Sequence, residues 1–161
     1  MTSQLPRGIR NNNPLNLRKS NNEWLGKVEP SKDKAFEQFL TMEHGIRAAM
    51  KNIATIVNRR KGNGEDTRIS DLIHIWAPNS DGNNEAAYLA VVLKKAKFCC
   101  DEKIELKQRH QITRLCWAMA IVECGERYAE RLNIGYFQRA YDMAFGIGYN
   151  AAGGMSNESA R

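Results

Sequence analysis

The feature that most constrains this chain is an almost wholly apolar run that ends in a single acidic residue, Glu123. The apolar residues before Glu123 recur at the spacing of a buried helix: Ile112, Leu115, Cys116, Met119, Ala120 and Val122. The pattern predicts a central helix over about 101–124. Gly125 follows it and is the predicted left-handed C′ residue that ends the helix.

Glu123 therefore lies in the last turn of a helix that is predicted to be buried. The partial negative charge of a helix C-terminus and the loss of hydration both disfavour an ionised carboxyl group, so its pKa is expected to be raised. A glutamic acid that stays protonated near neutral pH is suited to general acid catalysis. The alternative is that Glu123 is a helix-end residue paired with a nearby Arg or Lys.

The composition, with 161 residues, 42% hydrophobic and 26% charged, fits one globular domain, 1–161, whose ends at 1–7 and 153–161 are expected to be flexible. No apolar leader begins the sequence, and no run approaches the roughly 20 apolar residues of a membrane span. We therefore expect synthesis in the bacterial cytoplasm without a signal peptide, and no stable insertion into a membrane. The net charge of +6 favours polyanionic partners: nucleic acid, a membrane surface or an acidic cell-wall polymer.

The four cysteines do not have the spacing of a zinc site. Cys116 and Cys124 are too far apart along one helix for a disulfide, and Cys99 and Cys100 are neighbours. We expect four reduced thiols, with neither a metal nor another cofactor.

Helical periodicity and capping residues predict four further helices and a mostly α fold of about five helices with one small hairpin. The helices are expected from Thr41 to the break at 62–64, from Thr67 or Ser70 to Pro78, from Asn83 or Asn84 to Lys97, and from about Phe137 to Gly146. Two strand-like runs, 24–28 and 35–39, are separated by turn-forming residues and predict the hairpin. Residues 1–22 are rich in Asn and contain Pro6 and Pro14, so we expect loop there.

A series of short motifs runs through most of the chain: Gly8–Arg18 (GIRNNNPLNLR), Trp24–Gly26, Phe36–Phe39, Glu43–Ala48, Trp76–Pro78, Asn84–Tyr88 and Ala120–Gly125 with Tyr128. In order and spacing they resemble a family of bacteriophage virion proteins with a lysozyme-like fold. The family pattern near the glutamate is Ile-Ile, a variable pair, Glu-Asn-Gly and then Pro-Tyr. This chain departs from the family at Leu15, Cys124 and Arg127, where the family has Gly, Asn and Pro.

A second resemblance, to bacterial cell-wall glucosaminidases, concerns the order of the elements. Those enzymes also carry an Asn-Asn segment, a short hairpin and an aromatic-x-x-aromatic stretch that leads into a helix. Their catalytic glutamate ends a helix that comes first in the chain, whereas here the similar helix ends at Glu123. We therefore expect a circularly permuted lysozyme-like fold in which Glu123 and the segment Asn11–Asn16 face one cleft.

The resemblance implies cleavage of the β-1,4 bond between N-acetylmuramic acid and N-acetylglucosamine of peptidoglycan, with Glu123 as the catalytic acid. A lytic transglycosylase needs that one carboxyl group. A hydrolase needs a second one, for which Glu43 and Glu37 are the candidates. Glu43 lies in the first turn of its helix, where a carboxylate also stabilises the helix dipole.

The candidate substrate-binding residues include Asn11, Asn12, Asn13 and Asn16, whose amides can bind the N-acetyl and hydroxyl groups of a sugar. Tyr128 is a further candidate, which would either line the cleft or orient Glu123. Turn formation explains the asparagines equally well. Trp24, Trp76 and Trp117 are suited to stacking on sugar rings, but burial in the core explains them better.

Two other classes of protein remain open. One is a non-catalytic virion or baseplate component that has kept a lysozyme-like shell, and the other is a basic nucleic-acid binder. No recognition motif accompanies the basic residues, so we expect no nucleic acid partner. The expected partner is bacterial peptidoglycan, together with phage virion or secretion-machine proteins. The protein would act on the cell wall or in the periplasm after delivery by a phage particle, a holin or a secretion system.

Overall fold

The computed structural model describes residues 4–146, which are mainly helical. In this range there are six α-helices, α1 to α6, and two 3-10 helices. The α-helices are, in order, Arg7–Arg10, Met42–Gly62, Ile69–Trp76, Glu85–Lys95, Arg109–Cys124 and Ile134–Phe145, and the 3-10 helices are Asn79–Asp81 and Glu126–Arg131. The predicted mostly α class is confirmed.

The core forms where α5 packs against α4 and α6, and where α6 packs against α2. Buried residues occur on every side of α5, and Ile112, Leu115 and Met119 are among those with no exposed surface. A helix that is apolar all round is a buried helix, so α5 is central as its sequence predicts. The helix α2 contributes one apolar face that includes Ile46 and Met50, both fully buried.

The helix α5 starts at Arg109 and not near Asp101, so the predicted start is wrong. Residues 101–104 lie instead beside the beginning of α3. The Asp101 carboxylate accepts a hydrogen bond from the Ser70 backbone N–H (2.9 Å), and the Ile104 N–H donates to the Thr67 carbonyl oxygen (2.7 Å). The bond from Ser70 supplies an acceptor for one N–H group in the first turn of α3, and the two bonds together keep residues 101–104 out of α5.

Two of the predicted helix starts, at Thr41 and Asn84, are confirmed by their hydrogen bonds. The Thr41 side chain accepts from the His44 N–H at the start of α2 (3.2 Å), and the Asn84 side chain accepts from the Ala87 N–H at the start of α4 (3.0 Å). The cap position of α3 is Arg68, between the two predicted candidates. After α5, Gly125 has the positive φ of 95° that was expected, but its ψ of 138° lies outside the left-handed helical region.

The predicted hairpin does not form as a pair of strands, because residues 4–146 contain no strand. The runs 24–28 and 35–39 are joined by an isolated bridge. Between them, the Asp33 carboxylate accepts hydrogen bonds from two backbone N–H groups of the second run (2.9 and 3.1 Å), and Pro30 has no N–H to donate. Local side-chain bonds therefore take the place of a regular ladder.

The short helix α1 lies in a segment that is predicted as loop. Pro6 occupies its N-cap position, where the missing proline N–H is not needed, and the Pro6 carbonyl oxygen accepts from the Ile9 and Arg10 N–H groups (both 3.0 Å). The helix packs against α5. It thereby brings the asparagine-rich segment that follows to the C-terminal end of α5.

This segment also contacts α2 closely. A Cβ atom on Gly45 would lie 1.7 Å from the Asn12 carbonyl oxygen, so the backbones approach to a distance that only glycine allows. The asparagine-rich segment is thus held between the start of α2 and the end of α5.

The predicted flexible ends lie largely outside the described residues, since 1–3 and 153–161 fall beyond the range 4–146. Within that range, none of the helices combines the length and the apolar character needed to cross a bilayer. All four cysteines are free thiols, as predicted; Cys116 and Cys124 are buried, and Cys99 and Cys100 are exposed.

Candidate active site around Glu123

Glu123 lies in the last turn of α5, with a half-buried side chain. Two neutral groups hold its carboxylate. The Asn16 amide donates to Oε1 (3.0 Å), and the Tyr88 hydroxyl, from α4, donates to Oε2 (2.9 Å). Asn16 and Glu123 are 107 residues apart in sequence, so Glu123 and the 11–16 segment do meet, at Asn16. The expectation that both face one cleft is met only by Asn16, because Glu123 is not among the residues that line the groove beside it. The groups at the carboxylate are an amide and a phenol, in contrast to the Arg or Lys of the alternative interpretation.

Burial raises the pKa of Glu123 above its ordinary value, and the hydrogen bonds from Asn16 and Tyr88 oppose part of that rise. The direction is the one predicted for a carboxyl group in the last turn of a buried helix. The same burial, with the charge of Glu123, places the pKa of Tyr88 well above its usual range, so the phenol stays protonated and remains a donor. Burial also raises the pKa of the neighbouring Cys124 thiol to about 12.

The surroundings of Glu123 accommodate both of its protonation states. The Tyr88 hydroxyl lies 3.4 Å from the Met119 carbonyl oxygen. When Glu123 is ionised, Tyr88 donates to Oε2; when Oε2 carries a proton, Tyr88 accepts it and turns its own proton towards Met119. On the other side, the Asn16 Nδ2 group donates to Oε1, while the buried Oδ1 of Asn16 has no hydrogen-bond partner in residues 4–146. Tyr88 can therefore face Glu123 in either protonation state.

The loop that presents Asn16 is fixed by its neighbours in the chain. Leu15 is fully buried, and its carbonyl oxygen accepts a hydrogen bond from Trp76 Nε1 (3.1 Å). The Cys124 thiol donates to the Pro14 carbonyl oxygen (3.5 Å). Asn16 itself has a φ of +55°, a left-handed conformation that asparagine adopts more readily than most residues. The position of Asn16 is therefore set by the core and not by its contact with Glu123 alone.

The other three predicted substrate-binding asparagines use their amides inside the protein. Asn13 Nδ2 donates to the carbonyl oxygens of Leu17 and Glu37 (2.9 and 3.0 Å). Asn12 Nδ2 donates to the Phe39 carbonyl oxygen (3.1 Å), and Asn11 Nδ2 donates to the Asp33 carboxylate (3.1 Å). Asn13 is fully buried. These contacts support the turn-forming alternative for the three residues, and Asn16 is the member of the set that contacts Glu123.

Both candidates for a second catalytic acid belong to ion pairs with other parts of the fold. Glu43, in the first turn of α2, accepts from Arg139 of α6 (3.1 Å). Glu37 is almost fully buried and lies 3.3 Å from the Lys27 ammonium group. Each of the two carboxylates is therefore paired with a cationic side chain.

Tyr128 lies in the 3-10 helix that follows α5 and is half-buried. Its N–H donates to the Gly125 carbonyl oxygen (3.0 Å), and the Arg127 guanidinium lies over its ring, 5.6 Å from the centroid. Arg127 is one of the departures from the family pattern. The contacts of Tyr128 are thus with the turn after α5.

A groove of about 350 Å³ opens beside Asn16, between the N-terminal segment, α2 and the end of α3. Trp24, Trp76 and Asn52 contribute to its wall, and both tryptophans are half-buried. Trp117 lies elsewhere, with Nε1 donating to the Leu132 carbonyl oxygen (2.8 Å). Two of the three tryptophans considered for sugar stacking, Trp24 and Trp76, therefore line the same groove.

Tyr88 is the residue of the candidate site that sequence analysis missed. In the sequence it stands out only as the last residue of the motif Asn84–Tyr88. A signal was present, because a buried tyrosine hydroxyl usually needs a hydrogen-bond partner and Glu123 is the acid at the end of the adjoining helix.

In residues 4–146, no cluster of three or more His, Cys, Asp or Glu side chains is arranged to hold a metal ion. No known family model matches the chain. One relative is Protein P5 of Pseudoalteromonas phage PM2, which is 32% identical over 105 residues. The alignment covers 63% of this chain and 62% of the relative, so the chain matches less than two thirds of that protein's length. The chain is thus similar to a bacteriophage protein.

Proposed function

We propose that this chain is a peptidoglycan-cleaving glycosidase that breaks the β-1,4 bond between N-acetylmuramic acid and N-acetylglucosamine, with Glu123 as general acid and then general base. The observation that carries the proposal is the Glu123 carboxyl group itself. It is half-buried at the end of the central helix, has a raised pKa, and is held by two neutral donors. The proposal includes a lysozyme-like fold in permuted order, which the contact between Asn16 and Glu123 supports.

In the first step, protonated Glu123 gives its proton to the leaving glycosidic oxygen while positive charge develops on the sugar ring. Asn16 and Tyr88 then donate hydrogen bonds to the carboxylate that remains. In the second step, the 6-hydroxyl group of the same sugar attacks its C1 atom and returns a proton to Glu123. The product has a 1,6-anhydro end, and Glu123 is again protonated, as it was before the first step.

This sequence of steps needs one carboxyl group, and the ion pairs of Glu43 and Glu37 support it over hydrolysis. Hydrolysis would require a second carboxylate to position water. Each candidate would first have to leave its cation, Arg139 or Lys27.

A non-catalytic virion component is the second candidate. Two observations favour it: both carboxylate oxygens of Glu123 already accept internal hydrogen bonds, and the chain is similar to a phage protein. In that role Glu123 would fasten the N-terminal segment to α5. Delivery by a phage particle fits either candidate function.

Digestion of purified peptidoglycan, with mass spectrometry of the released fragments, tests the proposal. Fragments with 1,6-anhydro ends are expected from a transglycosylase, and reducing ends would indicate a hydrolase. The Glu123→Gln variant should release either kind of fragment about 100-fold more slowly or slower still. A failure of the unmutated protein to release fragments from any peptidoglycan tried would overturn the proposal in favour of the structural component.

A further inference from the structure

We propose that the groove beside Asn16 binds an N-acetylated amino-sugar chain that carries carboxylate groups. Trp24 and Trp76 contact the sugar, and Arg18 and Lys19 contact the carboxylate. This inference rests on the proposed function and specifies the substrate class of the same site.

The composition of the groove wall suits a sugar. Trp24 and Trp76 present half-buried aromatic surface, and Asn22 and Asn52 add amide groups that both donate and accept hydrogen bonds. Binding sites for small molecules typically combine aromatic surface with a few polar groups that fix orientation. The volume of about 350 Å³ lies within the usual range for such sites.

The groove is connected to the candidate acid through Asn16. This residue forms part of the groove wall and also donates to Glu123 Oε1 (3.0 Å). A sugar in the groove therefore lies against the residue that positions the carboxyl group.

The charge of the groove indicates an acidic occupant. Arg18 and Lys19 are both exposed, and within residues 4–146 the groove wall contains no acidic side chain. The Arg18 guanidinium is held over the Phe36 ring, 5.1 Å from the centroid, so its position is partly fixed. A second cavity, of about 320 Å³ at the C-terminal end of α2, has lysines and carboxylates in its wall and lacks this one-sided charge. Peptidoglycan carries carboxylates on its stem peptides, whereas a chain of N-acetylglucosamine is neutral.

The test compares two ligands on the full chain carrying Glu123→Gln, so that no turnover occurs. The first is a tetrasaccharide of N-acetylglucosamine, and the second is a peptidoglycan tetrasaccharide that bears stem peptides. We expect calorimetric titration at low salt to give about 10-fold tighter binding of the acidic ligand, with the difference falling as salt is added.

Adding Lys19→Gln should weaken binding of the acidic ligand about 5-fold and leave the neutral ligand unchanged, as expected for loss of one partly screened charge contact. Adding Trp24→Ala should weaken both ligands by about 10-fold, as expected for loss of an aromatic contact. The matched control is Lys94→Gln, since Lys94 is an exposed lysine of α4 that does not line the groove. Circular dichroism of each variant checks the fold, and Lys19, being exposed, gives a variant that does not depend on core packing.

The outcomes separate the subsite from the catalytic proposal. If the unmutated protein cleaves peptidoglycan but Lys19→Gln binds the acidic ligand as well as the parent, the subsite is wrong and the proposed function stands. If cleavage is absent but binding of the acidic ligand depends on Lys19 and Trp24, the subsite stands and the catalytic proposal fails. Equal binding of the two ligands at low salt also overturns the charge-based inference.

Discussion

Replacing Glu123 by glutamine tests the candidate site most directly, because it keeps the size of the side chain and removes its ionisable proton. A positioned general acid typically contributes about 100-fold or more to the rate. That factor corresponds to about 2.7 kcal/mol of activation free energy, at 1.36 kcal/mol for each factor of ten. We therefore expect release of fragments from peptidoglycan to fall by about 100-fold or more in Glu123→Gln.

The fold should tolerate this substitution, because the neighbours of Glu123 offer glutamine a complete set of hydrogen bonds. The glutamine oxygen replaces Oε1 as acceptor from the Asn16 amide. Its Nε2 group donates to the Tyr88 oxygen, and the Tyr88 proton then turns towards the Met119 carbonyl, 3.4 Å away. No donor is left facing another donor.

The stability of the two proteins should diverge with pH in a defined direction. Burial raises the folded-state pKa of Glu123 above its ordinary value of 4.5, so the folded protein binds more protons than the unfolded chain over the interval between the two pKa values. The free energy of unfolding therefore falls as pH rises through that interval, and above it the full penalty of an ionised buried carboxyl remains. Glutamine has no such penalty. The melting temperature of Glu123→Gln relative to the parent should be lowest below pH 4.5 and should rise with pH.

Glu43→Gln is the control for both measurements. Glu43 belongs to an ion pair with Arg139, whose side chain is mostly exposed, so its loss should cost at most about 1 kcal/mol of stability. A small effect on activity supports one catalytic acid, and an effect as large as that of Glu123→Gln supports a two-carboxylate hydrolase. Full activity in Glu123→Gln would refute the assignment of the general acid. A melting-temperature difference that does not change with pH would refute the raised pKa.

Three further predictions concern the surroundings of the site. Tyr88→Phe removes a hydrogen bond to the ionised carboxylate, so a carbon-13 titration should place the pKa of Glu123 higher than in the parent, and an unchanged pKa would contradict the bond. Gly45→Ala puts a Cβ atom 1.7 Å from a backbone oxygen and should lower the free energy of unfolding in urea by more than about 2 kcal/mol, whereas Gly62→Ala, with no atom within 4 Å, should change it by less than about 1 kcal/mol. At pH 8 a thiol reagent should modify the exposed Cys99 and Cys100 in the folded protein. Cys116 and Cys124 should react only after unfolding, because they are buried and burial raises the pKa of each thiol to about 12.

The helices that sequence analysis located best are those whose signals are local. The helix α2 begins at the Thr41 cap and ends at Gly62, because cap, apolar face and breaker all lie within the helix or beside it. The start of α5 was misplaced because residues 101–104 are held by hydrogen bonds to the beginning of α3, which is distant in sequence. Periodicity does not reveal such partners. The reason at the predicted hairpin is local instead: the Asp33 carboxylate accepts hydrogen bonds from the Ala35 and Phe36 N–H groups, and such side-chain competition is not visible in the alternation of apolar residues.

The candidate site likewise has features that follow from neighbouring residues in the sequence and features that depend on distant ones. The raised pKa of Glu123 follows from the apolar residues around it in sequence, and its direction could be predicted from them. The contact with Asn16 could be expected only through a resemblance in the order of elements, because residues 107 apart carry no local signal of proximity. Within the segment 11–16, composition did not separate Asn16 from its neighbours. The fold separates them, since the other three amides are hydrogen-bonded inside the protein.

The two candidate functions make different demands on the residue at position 123. A residue that only fastened the loop of Asn16 to α4 would be better as glutamine, which accepts from the amide, donates to Tyr88 and does not incur the desolvation cost of an ionised carboxyl. A carboxylic acid is required only if a proton is transferred. Glu123→Gln therefore separates the roles within one molecule: a variant that melts higher than the parent near neutral pH and has lost peptidoglycan cleavage shows that the acid lowers stability and is needed for the chemistry. The raised pKa predicts higher melting of the variant in either role, so a parent that cleaves nothing leaves the joining of the N-terminal segment to the core as the role of Glu123.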